Sequence, residues 1–264
     1  MSDYETVLIE RRGAVALVSL NRPDSLNSFN AALRRDLLQA VREVNDDDSV
    51  RVVVVTGAGR AFCAGADLTE MPSGQGGGSF RVEDHLNHEY KPALMEIHEA
   101  PKPWISAING ACAGIGSALG MVCDLTVMAE DAYIYQAFAA IGLIPDGGAT
   151  WHLVRTLGRK RAYEIIATGE KVKAQKCLEW GLCNRVAPAD SLVEDALAWA
   201  EELSGRAPLS LRYAKQAVND ALEQPVDYMI TAEAKLQHIC INSDDAAEGA
   251  AAFLQKRAPQ WKGR

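Results

Sequence analysis

Residues 104–124 read WISAINGACAGIGSALGMVCD, and this stretch decides the fold class. Residues 104–109 form a short apolar run with two isoleucines, the pattern of a buried strand. Gly110, Gly114 and Gly116 then fall within seven residues, interleaved with Ala111, Cys112 and Ala113. Apart from Ile115, no side chain in that turn is larger than a thiol. A helical run over 117–123 follows. A strand that passes through a small-residue turn into a helix brings backbone close to something. The helix start also offers unpaired N–H groups to an anion or a developing oxyanion. The same small residues would equally serve a helix packed tightly on a sheet, so both readings stand at this point.

Working outward, residues 6–10 and 14–20 are β-rich runs separated by Arg11-Arg12-Gly13, the pattern of a hairpin. Asn27 or Ser28 is placed to cap a helix whose apolar positions Leu33, Leu37, Leu38, Val41 and Val44 share one face. Residues 50–56 are apolar enough for a fully buried strand. A second small-residue turn, GAGRAFCAGADL at 57–68, leaves that strand. The low-complexity piece SGQGGGS at 73–79 reads as a linker or a loop over a site. Residues 82–100 are predicted helical with a kink at Pro92, and put His85 and His88 on one face. No carboxylate motif completes a metal site there, so the two histidines read as a solvated or lining face.

Beyond the central stretch, residues 125–129 and 132–135 suggest two short strands, and 141–150 a turn leading into a helix. From Leu153 the pattern is helical, with breaks near Gly158, Gly169, 181–188, 205–208 and Pro225. The first half is therefore β/α and the last hundred or so residues mainly α. The 264 residues are 48% hydrophobic, enough for a sizeable core. A net charge of −8 argues against a general nucleic-acid or anionic-membrane surface. Six cysteines, at 63, 112, 123, 177, 183 and 240, form no CxxC pair and sit mostly in apolar runs. Reduced, buried thiols in a cytoplasmic setting are expected rather than disulfides or a metal site. The polar start MSDYETVLIERRG has no apolar signal core, and no run approaches the roughly 18 apolar residues of a membrane span.

Three pieces, GRAFCAGADL at 59–68, NGACAGIGSALGMVCD at 109–124 and IGLIPDGGAT at 141–150, resemble in order and spacing the crotonase (enoyl-CoA hydratase/isomerase) superfamily. The ending AAFLQKRAPQWKGR is similar to that family's C-terminal helix and tail. The resemblance implies an α/β fold of repeated ββα turns over residues 1–200. It also implies a helical oligomerisation region over 201–264, and a homotrimer or homohexamer. It further implies an acyl-CoA thioester substrate, with no cofactor beyond the coenzyme A the substrate carries. The family holds the thioester carbonyl with two backbone N–H groups and so stabilises an enolate. By position these are Ala66 and Ile115, where the family often has glycine at the latter. A helix N-terminus behind Ile115 fits that task. Ala64, Asp67 and Leu68 are implied to line the groove for adenine and pantetheine. Phe253 and Lys256 match residues that reach a coenzyme A site, often a neighbour's; ordinary helix packing and a solvated lysine explain them equally.

Hydratases of this family place two glutamates across the double bond. Here the motifs put Ala118 and Phe138 at those positions. One acid remains in register, Asp146, where several branches carry a catalytic aspartate. QAFAAIGLIPDGGATWHL is most like the phenylacetate-pathway isomerase branch. On the residues alone Asp146 is equally a helix N-cap before Gly147-Gly148. A single base that removes and returns a proton suffices for double-bond migration, and apolar neighbours such as Phe138 and Ile141 would raise its pKa. The reading is an enoyl-CoA isomerase of fatty-acid or phenylacetate metabolism. A hydratase is the alternative reaction, and a non-catalytic coenzyme A-ester-binding or scaffolding protein the alternative class if Asp146 points away from the pocket.

Overall fold

The expected N-terminal hairpin forms, with β1 (Val7–Arg12) and β2 (Val15–Leu20) antiparallel. Arg11 and Arg12 belong to the strand, so the turn is confined to Gly13 and Ala14. The computed structural model describes residues 4–70 and 81–264, and the glycine-rich 73–79 stretch lies outside them. Helix α1 (Ala31–Asp46) crosses back to β3 (Val52–Gly57), which runs parallel to β2 and is buried along its whole length, as a strand covered on both faces should be.

The cap of α1 is Asn30, whose side chain accepts the Leu33 N–H at 2.9 Å, and neither Asn27 nor Ser28 takes that role. Asn27 is fully buried in the left-handed region, at φ 56°, and donates to the carbonyls of Ala58 and Ala61. A residue type suited to a cap was recruited instead to tie two loops together.

After β4 (Ala61–Cys63) come α2 (Val82–His85), a π-helical turn over Leu86–Tyr90, and α3 (Lys91–His98). Pro92 closely follows the π turn, in backbone that stays helical through Tyr90 and Lys91, so the irregularity expected at the proline takes the form of a π turn just before it. This wider turn also breaks the expected face: His85 is half-buried and His88 is exposed.

The central stretch gives β5 (Trp104–Ile108), β6 (Ala111–Ala113) and α4 (Ile115–Val122), two residues earlier in its start than periodicity indicates. There follow β7 (Leu125–Ala129), β8 (Tyr133–Tyr135), α5 (Ala149–Thr168) with Gly158 out of helical geometry, β9 (Lys171–Lys173), α6 (Ala174–Trp180) and β10 (Arg185–Ala187). Helices α7 (Leu192–Ser204), α8 (Pro208–Ala221), α9 (Val226–Ile241) and α10 (Asp244–Gln255) end the chain.

Three times a strand of one sheet is followed by a short strand of another: β3 then β4, β5 then β6, β7 then β8. The larger sheet has the order β1-β2-β3-β5-β7-β10 and the smaller β4-β6-β8-β9. This is the expected repeated α/β architecture. Helix α7 packs on β2, β3, β5 and β7, so the expected division at residue 200 falls within a core helix. The six cysteines are all free thiols, five of them buried.

Gly116 shows why the central turn is built of small residues. A Cβ there would stand 2.6 Å from the Cys63 carbonyl oxygen and sulfur, so the first turn of α4 rests directly on β4. Tight packing is therefore one use of the turn.

Candidate active site

Two turns, one leaving β4 and one leaving β6, end side by side. In the first, the Phe29 N–H donates to the Gly65 carbonyl at 2.8 Å and the Asp67 N–H to the Phe29 carbonyl at 3.0 Å. These bonds bracket Ala66 and turn its own N–H away from Phe29, because successive peptide groups of extended chain alternate. The Asp67 carboxylate is occupied in holding this turn. It accepts from the Thr69 hydroxyl at 2.7 Å and from Arg22 at 3.0 and 3.1 Å. Those bonds, that from Thr69 first, hold its pKa below the usual carboxylate value against the opposing effect of burial.

In the second turn the Gly114 N–H donates to the Tyr135 carbonyl at 3.0 Å. The Ser117 hydroxyl donates to the Gly114 carbonyl at 2.6 Å and accepts from the Gln136 amide at 2.9 Å. Ile115 is then the first residue of α4. The turns meet through bare backbone: a Cβ on Gly114 would lie 3.6 Å from the Gly65 Cα. Among the described residues, neither the Ala66 nor the Ile115 N–H donates to a protein acceptor.

Both positions line a cavity of about 320 Å³, and Asp146 lines it too. Ala64, Asp67, Leu68, Phe138 and Ile141 stand on the same wall system, so eight of the ten expected site residues are brought together. Phe253 and Lys256 are not. Phe253 is 83% exposed near the end of α10 and Lys256 caps that helix, outside the cavity of this chain.

Asp146 does not cap α5. Gly148 holds the cap position, and Asp146 contributes only its backbone carbonyl, which accepts the Ala149 N–H at 3.0 Å. Its Oδ1 is buried without a hydrogen-bond partner. Burial raises its pKa from 3.8 to about 6, with its own backbone N–H pulling the other way. Phe138 is 6% exposed and supplies apolar surroundings, whereas Ile141 stays 52% exposed. A carboxyl whose folded pKa is raised gives stability that is fully present below the unfolded pKa and lost as pH rises through the folded one. Asp146→Asn is therefore expected to melt above the wild type at pH 7, with the difference closing as pH falls from about 6 to 4. Thermal melts of both proteins across that window check it; a mutant that melts lower at pH 7 contradicts the assignment of strain to this carboxylate.

No second acid faces Asp146 from the hydratase positions. Ala118 is fully buried, and its Cβ lies 2.9 Å from the place a side chain on Gly147 would take. Phe138 carries only a ring. Phe29, Arg34 and Tyr90, to which sequence reasoning assigns no role, also line the cavity. The available signal was Arg34 itself, a charge set beside Leu33 on the apolar side of α1. It is 7% exposed and bonded to Glu70 at 3.0 Å and Glu89 at 2.5 Å. Among the described residues no cluster of His, Cys, Asp and Glu is arranged to hold a metal ion, and no helix is long and apolar enough to cross a membrane.

Comparison with known proteins gives the family of the chain. The model of the enoyl-CoA hydratase/isomerase family matches residues 10–264. The 1,2-epoxyphenylacetyl-CoA isomerase of Escherichia coli K12 is 35% identical over 260 residues, 98% of this chain and 99% of that protein. A probable enoyl-CoA hydratase of Rhodobacter capsulatus is 36% identical over 262 residues, 99% of each chain. Among solved structures, the enoyl-CoA hydratase from Bacillus anthracis superposes with a TM-score of 0.91 at 32% identity, covering 98% of this chain and all of that one.

Proposed function

This chain belongs to the enoyl-CoA hydratase/isomerase family, and on that premise we propose that it moves a double bond along an enoyl-CoA thioester. The observation that carries the reading is the Asp146 carboxyl, its Oδ1 buried without a partner, in one cavity with two unclaimed backbone N–H groups, while residues 118 and 138 carry no acid. The thioester carbonyl oxygen would accept from Ala66 and Ile115. Asp146 would take a proton from C2 of a 3-enoyl thioester, the C–H electron pair passing into a dienolate whose negative charge rests on that oxygen. The same carboxyl would return the proton to C4, leaving the 2-enoyl product with the proton count unchanged. Such a cycle needs no cofactor beyond the coenzyme A of the substrate.

Ala64 and Leu68, at the cavity wall, would receive the pantetheine arm. Isomerisation also agrees with the epoxyphenylacetyl-CoA isomerase relative, which favours phenylacetate degradation beside fatty-acid metabolism as the setting, in the cytoplasm. The test follows a 3-enoyl-CoA and a 2-enoyl-CoA with the wild type, recording migration and water addition separately. Migration is expected to be the faster; faster water addition would make the protein a hydratase.

The helical end supports a trimer or hexamer. Helix α8 buries no residue and α9 only Met229, while Val226, Ile241, Phe253 and Leu254 are each more than 60% exposed. Apolar surface of that extent belongs at an interface, and there Phe253 and Lys256 would reach a neighbour's site. Native mass measurement at micromolar concentration is expected to give three or six times 28.5 kDa; a monomer refutes it.

A further inference from the structure

The cavity carries a polar patch that double-bond migration does not use. Tyr90, last residue of the π turn, packs edge-on against Phe29, with ring centroids 5.5 Å apart and planes at 71°. The Arg34 guanidinium stands 5.4 Å from the Tyr90 ring centroid. Arg34 is held in turn by Glu70, Glu89 and the Phe29 carbonyl, so its charge is already compensated and its position fixed. A π turn within a helix frequently marks a functional position.

Burial raises the Tyr90 phenol to about 12, with Arg34 opposing and the Asp146 charge adding to the rise. The hydroxyl is thus neutral and keeps its proton. Arg34 has only donors to offer, so that proton needs an acceptor elsewhere. Among the described residues, no hydrogen bond from it to a protein acceptor is formed. The other tyrosine on the wall, Tyr135, differs: its hydroxyl lies about Gly169, 4.0 Å from where a Cβ would stand. Tyr90 lines the cavity, and its oxygen is occupied by Arg34 only as an acceptor, so a ligand oxygen in the cavity would give the phenol proton a partner.

In the proposed reaction the thioester oxygen is served by Ala66 and Ile115, and Asp146 works on carbon. With the pantetheine arm assigned to Ala64 and Leu68, Tyr90 is left to the acyl group. We propose that the Tyr90 hydroxyl donates a hydrogen bond to a neutral oxygen of the acyl tail, and so selects acyl-CoA substrates that carry a hydroxyl, ether or ketone there. A carboxylate is disfavoured, because the one arginine present already answers two glutamates. The inference rests on the isomerase reading only in taking this cavity as the acyl site.

The test is binding, which is independent of turnover. Calorimetry would compare octanoyl-CoA with its ether analogues, the oxygen moved along the tail, on the wild type and on Tyr90→Phe. The conservative variant keeps the ring contact with Phe29. For the best-placed oxygen, the ether-to-hydrocarbon affinity ratio is expected to fall by about tenfold in the variant, with octanoyl-CoA affinity changed by less than about twofold. An equal loss on both ligands would put the hydroxyl on the thioester or on a structural duty, and no change would leave it idle; either overturns the proposal. A failed isomerase reading looks different: 3-enoyl-CoA is not isomerised, while the tenfold change in ratio persists.

Discussion

Asp146→Asn is expected to slow double-bond migration by about 10²–10⁴-fold, the usual loss when a general base is removed. The substitution keeps the shape, and because α5 is capped by Gly148, it removes no helix cap. A loss of rate would therefore be chemical. The wild-type rate should rise with pH through about 6, where the buried carboxyl gives up its proton, and level off above. The residual rate of the variant should lack that step. Stopped-flow or steady-state assays on a 3-enoyl-CoA between pH 4.5 and 8 measure both effects. Migration unchanged in the variant, or a wild-type profile with no inflection near 6, would remove Asp146 from the mechanism.

Ile115→Pro carries the second large effect. Removing a backbone donor by mutation is normally impossible without damage, but Ile115 is the first residue of α4, a position that proline suits. Its N–H has no protein acceptor among the described residues, so no structural bond is lost. The change deletes one oxyanion donor, for which a fall in kcat of about 10²–10³-fold is typical. Ile115→Val is the control: it trims the side chain, keeps the N–H, and should stay within a few-fold of wild type. A proline variant that folds and turns over like the valine variant would show that the carbonyl is held elsewhere.

The part of the fold written most clearly was the part fixed by local pattern. Residues 104–124 showed strand, turn and helix because burial and small size are both properties of single residues. Asp146 was legible by subtraction, since the positions at 118 and 138 were visibly without acids. What stayed hidden depended on tertiary partners. Asn27 has the composition of a cap, and only the loops at Ala58 and Ala61 reveal what it binds. The π turn has no period of its own, so helical spacing puts His85 and His88 on one face and says nothing of Tyr90. Phe253 and Lys256 stand outside the cavity, and no local pattern tells where the fold carries the end of α10.

The contact between Gly65 and Gly114 has a consequence for engineering. The two donor turns approach each other through backbone, and each is braced by its own side chains, Asp67 in the first and Ser117 in the second. Libraries that randomise residues 138 and 146 would then sample new reactions of an enolate on an unchanged chassis. The positions to leave untouched are 116, where an added side chain would work as a wedge against β4, and 65 and 114, whose positive φ only glycine adopts without strain.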